Sequence, residues 1–261
     1  MVERSSFVTV DAFEDIPVKA LYTTRFYGKS EGDFSSFNLG LHVEDDPKNV
    51  LQNRLALEKH LSKKVVFMNQ THSEKVVLVD KNDACECEKM LDGSVPVSLG
   101  VEADGIVTCD KSIALAVLTA DCLPLLMTTK DGAVVAAVHC GWKGVYSNII
   151  KNAVLLMREH SQSEIYAYLG PCIGPESFEV GGELLDKFKT ILEKAELAFT
   201  KKDNGKYLCS LPILTRMQLE KVGVTKVVES NVDTYQNQNL LYSYRRAKRT
   251  GRMASVIASS L

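Results

Sequence analysis

The stretch from Ile113 to His139 constrains this chain more than any other. Residues 113–118, 123–128 and 133–139 are short, almost uninterrupted apolar runs separated by polar and turn-forming residues. Runs of that length, rich in valine, leucine and isoleucine, read as strands buried on both faces. Asp131-Gly132 between the last two is a tight hairpin signal. Residues 123–128 and 133–138 are therefore expected to pair antiparallel. The turn centre near residue 131 is about equally distant from Cys122 and His139. That pairing carries a thiol and an imidazole, at the far ends of the two strands, into one place.

The rest of the chain mixes strands and helices without strict β-α-β alternation. Asp45-Asp46-Pro47 reads as a helix start, an aspartate capping free amides ahead of a first-turn proline. Val50, Leu51, Leu55 and Leu61 give that helix an apolar stripe ending near His60. Residues 65–68 and 76–79 are short β-branched runs, with Asn69 to Ser73 as a strand end and turn. Residues 81–98 are polar and read as an exposed excursion, carrying Cys85 and Cys87 among acidic residues. Residues 104–108 form a further strand. Gly141 to Gly144 opens one helix running to about His160, and residues 165–169 form a strand closed by Gly170-Pro171. Residues 183–197 read as an amphipathic helix. Ser210 and Pro212 start another that Gly223 ends, and residues 226–229 form a strand. Polar residues 231–239 and the basic run 242–246 follow. The expectation is a single α/β (α+β) domain over residues 1–261, with mixed or antiparallel sheets flanked by helices.

Composition narrows the partners. A net charge of -2 gives no reason for nucleic acid or an anionic membrane to bind. Residues 113–127, the most apolar stretch, contain Asp121 and Pro124 and are too short to span a bilayer. The first residues lack the apolar core of a signal peptide. Seven cysteines, an odd number scattered along the chain, then read as reduced thiols in a cytoplasmic protein.

Five histidines are present, His42, His60, His72, His139 and His160. His60 and His160 lie near helix ends, where solvated or helix-terminal roles suffice. His72 and His139 sit where a buried strand gives way to a turn, and strand ends are where sites are built. Cys122 occupies a third such junction. A thiolate beside imidazoles permits two chemistries. Two imidazoles and one thiolate leave the fourth tetrahedral position of a zinc ion open for water. Alternatively, His139 keeps Cys122 ionised as a nucleophile. A buried filler thiol beside a core histidine is the third reading.

At this point motifs accumulate in order: NLGLHVEDDP (38–47), NR (53–54), NQTH (69–72), ADG (103–105), TADCLP (119–124), HCGWKG (139–144), LGPCIG (169–174), FEVG (178–181), SYRR (243–246) and TGRMAS (250–255). Together they resemble the laccase-domain family, once called multicopper polyphenol oxidases and now regarded as purine nucleoside phosphorylases with adenosine deaminase and methylthioadenosine phosphorylase activity. The resemblance implies His72, Cys122 and His139 as metal ligands, zinc as the ion with copper as the alternative, and helices packed outside two central mixed sheets. It implies phosphorolysis of adenosine, inosine and methylthioadenosine to free base and pentose 1-phosphate. A related bacterial branch edits peptidoglycan precursors as an amidase. Gln70-Thr71-His72, His139-Cys-Gly-Trp-Lys143, the loop before Asn38 and Asp233 depart from the family pattern and bear on substrate preference. Five histidines are too few for the blue-copper site and three-copper cluster of a true laccase.

A nucleoside phosphorylase needs cations or helix-start amides for phosphate. Arg54, Lys143, Arg245 and Arg246 are the candidates. Asn38 is expected to contact ribose or support the site, and His42 to contact substrate or a ligand. Trp142 is expected to stack on a purine or pack in the core. Asp121 is expected to orient a ligand histidine from behind. Three functions compete: a zinc-dependent phosphorylase with deaminase activity, a Cys122–His139 amidase, and a non-catalytic metal- or nucleotide-binding protein. The expected partners are a small-molecule nucleoside and phosphate, with no nucleic acid and no membrane, for a monomer or small homo-oligomer.

Overall fold

A computed structural model describes residues 5–260. Its centre is two mixed sheets laid face to face. The first runs, edge to edge, Phe7–Thr9, Val18–Thr23, Met253–Ser259, Ile113–Thr119 and Lys64–Val66; only the last pairing is parallel. The second runs Lys226–Glu229, Ile165–Leu169, Leu123–Thr129, Val135–Cys140, Gly105–Thr108 and Val76–Leu78, antiparallel in the middle and parallel at both edges.

Side-chain alternation explains the layering. In Ile113–Thr119, Ile113, Leu115 and Val117 face the second sheet, where Ile106, Leu126, Val135 and Ala137 meet them. Ala114, Ala116 and Leu118 face the other way, onto Leu51, Leu57 and Leu61 of the helix Pro47–Leu61. The outer face of the second sheet packs on the helices Ile149–His160, Gly182–Lys189 and Leu211–Lys221. A period of two thus buries both faces of each sheet and produces four layers, helices outside two sheets.

The expected hairpin forms with Gly132 at φ +67 in its turn. Val135 lies opposite Thr128 and Cys140 opposite Leu123, which places the hairpin centre between residues 131 and 132. The helix start is also as read: Asp46 accepts from the Lys48 amide and Pro47 opens the helix. Three expectations change. The helix from Gly141 is two helices, Trp142–Tyr146 and Ile149–His160, because Asn148 turns left-handed at φ 68 between them. The helix read over 183–197 stops at Lys189; Lys194 is left-handed at φ 60 and Ala195–Ala198 is a separate 3-10 turn. The excursion at 81–98 is not wholly exposed, since Cys85 and Cys87 are buried and Cys87–Asp92 is helical. Strands at Val18–Thr23 and Met253–Ser259, central to the first sheet, lay outside the sequence reading.

Candidate metal centre

The site sits where strands end and the chain crosses between sheets. Ile113–Thr119 belongs to the first sheet and Leu123–Thr129 to the second, so Ala120, Asp121 and Cys122 form the crossing. Asp121 adopts φ 102 there. It is pinned from three sides: its carbonyl accepts from the Ile173 amide at 2.8 Å, its Oδ1 from Thr234 Oγ1 at 2.7 Å and its Oδ2 from the Arg245 amide at 2.6 Å. Those bonds hold a conformation that a non-glycine residue adopts at a cost, and they fix the backbone that enters Cys122. His139 is the last residue but one of the strand Val135–Cys140, and His72, at φ 63, lies in the turn between Met68–Asn69 and Val76–Leu78.

The three converge. The ligating atoms of His72, Cys122 and His139 lie within 4.8 Å of one another, with Cys122 Sγ 3.9 Å from His72 Nε2. The two imidazole rings are 4.8 Å apart at 77°. A tetrahedral zinc with bonds of about 2.3 Å to sulfur and about 2.0 Å to nitrogen sets its donors roughly 3.3–3.5 Å apart, so the Cys122–His72 pair has to close by about 0.4 Å and the widest pair by at most about 1.5 Å. Gly141 permits the approach: a Cβ there would stand 3.2 Å from Cys122 Sγ and 3.3 Å from His72 Cδ2.

One carboxylate organises both histidines, and it is Asp104, not Asp121. Val138 pairs with Gly105, so His139 stands beside Asp104 across the ladder. His139 Nδ1–H donates to Asp104 Oδ1 at 2.8 Å, leaving Nε2 to face Cys122. The same carboxylate accepts from the amides of Thr71 at 3.1 Å, His72 at 3.0 Å and Ser73 at 2.7 Å, and from Ser73 Oγ at 2.8 Å. A carboxylate behind a ligand histidine fixes its tautomer and direction. The expected role of Asp121 fails because both its oxygens are taken by Thr234 and Arg245.

Electrostatics make the thiol a ligand. Burial alone would raise the Cys122 pKa, but the charge of His139 and hydrogen bonds from both histidines bring it down to about 6. Burial would lower His139, yet Cys122 and Asp104 raise it to about 9. Burial also opposes ionisation of Asp104, and the bonds from His139 and Ser73 hold it well below the ordinary carboxylate range.

The other candidates distribute unevenly. His42 opens onto the cleft beside the cluster, and burial first, then Arg252, lower it to about 4, so it is neutral at pH 7. Asn38 is fully buried; its amide donates to Gly40 O and Asp45 Oδ2, and its oxygen accepts from the amides of Gly40 and Arg252. It supports the loop, and no polar atom of it is left for ribose. Arg54 is buried at 1% exposure against Leu39 O and the Phe67 ring. Arg246 spends its guanidinium on the carbonyls of Thr234, Tyr235 and Leu241. Arg245 turns its own toward Glu179 O. Lys143 is exposed, 5.9 Å from the Trp142 ring, and Trp142 packs against the helical core.

Sequence reasoning missed Arg252. Its guanidinium donates to the carbonyls of Thr250 and Gly251 at 2.9 and 3.1 Å and, among the described residues, has no ion pair with a carboxylate. It shares a cleft of about 340 Å³ with His42, Tyr244, Lys248 and Arg249. Arg249 is neutralised by Asp33 and Glu44, whereas Lys248 lies over the Tyr244 ring. Arg252 feels the charge of Cys122, so cleft and cluster adjoin. Its signal in the sequence is the TGRMAS segment.

Fold and site thus define a four-layer α/β protein with a His-Cys-His candidate metal centre at the crossing between its sheets. The chain belongs to the multi-copper polyphenol oxidoreductase laccase family, whose model matches residues 19–260. It is 38% identical over 245 residues to a purine nucleoside phosphorylase of Haemophilus influenzae, covering 92% of this chain and 93% of that one. Among solved structures it resembles protein NMB0706 of Neisseria meningitidis, with a TM-score of 0.85 and 35% identity over 98% of this chain and all of that one. It also resembles YlmD of Geobacillus stearothermophilus, at TM-score 0.88 and 30% identity, covering 100% of this chain and 98% of that chain. Among the described residues no helix is long and apolar enough to cross a membrane.

Proposed function

We propose that this chain is a zinc-dependent purine nucleoside phosphorylase, converting adenosine, inosine or methylthioadenosine to free base and pentose 1-phosphate, with adenosine deaminase, a hydrolase activity, as a second reaction. The observation that carries the reading is the convergence of His72, Cys122 and His139 with Asp104 behind them, in a chain whose relatives are named for that activity. The donor set fits zinc; copper is the alternative ion. When bound, the ion supplies a Lewis acid and a water that ionises near neutral pH, the requirement for deamination.

The chain's own residues supply the rest. Asp104 keeps one proton of His139 on Nδ1, so the proton given up when a metal binds is the one on Nε2. Asp121 holds the Cys122 turn. In phosphorolysis a phosphate oxygen bonds to the anomeric carbon as the glycosidic carbon–nitrogen bond breaks, and the phosphate must be held beside the nucleoside while this happens. Arg252, lacking a carboxylate partner, and Lys248 are the cations placed to hold it. His42, neutral at pH 7, adds a hydrogen-bonding ring without repelling the cations. The reading takes a cytoplasmic location and one domain over residues 1–261, monomeric or as a small homo-oligomer.

The test is release of hypoxanthine from inosine by zinc-loaded protein, with and without phosphate. Release that requires phosphate and stoichiometric zinc supports the reading; no release with both present ends it. A second reading, a Cys122–His139 amidase, is favoured by the ionised thiol and the Cys–His–Asp alignment. It has no need of His72 and survives a chelator. The phosphorylase is expected to lose activity with His72→Ala and with chelation.

A further inference from the structure

Away from the metal centre lies a second thiol cluster. Cys85 and Cys87 approach to 2.8 Å between sulfurs, yet both are free thiols. They sit beneath a buried cation. The Arg54 guanidinium stacks on Phe67 at 3.8 Å, its Nη1 is 3.9 Å from Cys85 Sγ, and its Nη2 has no hydrogen-bond partner among the described residues. The nearest carboxylate on the same helix, Glu58, is engaged by Lys64 at 3.0 Å. A buried guanidinium without a carboxylate of its own stabilises an anion beside it, and the adjacent group able to become one is the Cys85 sulfur. The pair is also reachable. Cys85 and Arg54 line a cleft of about 320 Å³ walled by Phe67, Pro96 and Val101 with Asp83 and Glu86 also lining it, whereas Cys87 is fully buried behind.

We propose that Cys85 and Cys87 are a reversible dithiol–disulfide couple, exchanging through this cleft with small disulfides of the oxidised-glutathione type. The Cys85 thiolate attacks one sulfur of the incoming disulfide, forming a mixed disulfide and releasing one thiolate. Cys87 loses its proton to that thiolate and attacks the Cys85 sulfur, expelling the second thiolate, which takes a proton from water. Two electrons pass from the protein to the small disulfide, which leaves as two thiols. Arg54 places positive charge beside the attacking sulfur. The order of attack follows from geometry, since Cys85 faces the cleft and Cys87 does not. It agrees with the thiol acidities: the hydrogen bond from Cys87, helped by Arg54 against burial, brings Cys85 to about 7, while that same bond and burial raise Cys87. The sulfurs need to close by about 0.8 Å to reach a disulfide bond length. Oxidation would remove the thiolate from Arg54, whose Nε holds the Leu39 carbonyl of the loop carrying Asn38 and His42.

The experiment treats the zinc-loaded full chain, with exposed Cys109 changed to serine, with oxidised glutathione, followed by alkylation, thiol titration and peptide mapping. The expected result is loss of two thiols together, with the peptide spanning residues 85–87 lighter by two hydrogens and restored by dithiothreitol. In the Cys87→Ser variant a single glutathione adduct should accumulate on Cys85; in Cys85→Ser, Cys87 should stay unmodified. The proposal is overturned if Cys85 and Cys87 remain reduced, or if the unsubstituted pair stops at a glutathione adduct. The result with both cysteines present does not depend on whether either variant folds.

Discussion

Asp104→Asn probes the claim that a single carboxylate holds both histidines. The change keeps the shape and replaces one acceptor oxygen by an NH2 group. Oδ2 accepts from the amides of Thr71 and Ser73 and from Ser73 Oγ, while Oδ1 accepts from His139 Nδ1 and the His72 amide. The amide oxygen is expected on the more crowded side, which sets NH2 against two other donors. Two charge-assisted bonds are then lost, at about 1.5–3 kcal/mol each, or about 3–6 kcal/mol of stability. Alternatively His139 adopts the other tautomer, and its Nε2 then carries a proton where a lone pair is needed. Loss of such an outer partner lowers metal affinity about 10–100-fold. Urea denaturation reads the first quantity, and competition for zinc with a chromophoric chelator reads the second. A variant that unfolds at the parent midpoint and binds zinc as tightly as the parent would refute the role assigned to Asp104.

Other perturbations separate the parts of the site. Gly141→Ala places a methyl group 3.2 Å from Cys122 Sγ and 3.3 Å from His72 Cδ2; with an ordinary φ of -67 the fold should tolerate it, so zinc affinity is expected to drop while the urea midpoint holds. Arg252→Gln should raise the KM for phosphate about 10–100-fold, the worth of a charge-assisted contact, and leave the KM for inosine near the parent value; equal changes in both would remove phosphate from that cleft. Zinc affinity should climb with pH. Between about 6, where Cys122 loses its proton, and about 9, where His139 loses its own and becomes neutral, the pair carries one exchangeable proton, on His139. That proton must leave before Nε2 can ligate, so apparent affinity gains about tenfold per pH unit across this window. Chelator competition at pH 7 and pH 8 decides it, and equal affinities would contradict the assigned protonation.

How far the sequence carried the reading depended on whether the relevant spacing was local. Cys122 and His139 were placed together by one hairpin, because the Asp131-Gly132 turn sets the register of both strands. Asp104 was invisible by that route. Its position beside His139 requires knowing that Gly105–Thr108 pairs with Val135–Cys140, a non-local choice that hydrophobic pattern leaves open. Asp121 was chosen instead because it neighbours Cys122 in sequence, and its carboxylate points to other partners. Met253–Ser259 was missed because its small residues, Ala254, Ser255, Ala258 and Ser259, hide a strand buried on both faces. Arg54 is the instructive error. It falls three residues after Leu51 and three before Leu57, on the buried stripe of its helix, a spacing that marks it as internal although the sequence analysis did not use it. The charge suggested surface and phosphate, and the periodicity was the better guide.

The turn at residues 71–73 and the ring of residue 139 hang from the same pair of oxygens. Two of the three donors therefore have no independent freedom: whatever displaces that anchor tilts both at once, and whatever seats it seats both. A lineage adjusting this centre for a different ion or substrate has little scope for gradual change at one histidine. Its accessible steps lie at the sulfur and in the neighbouring cationic cleft, where parts of the machinery move separately.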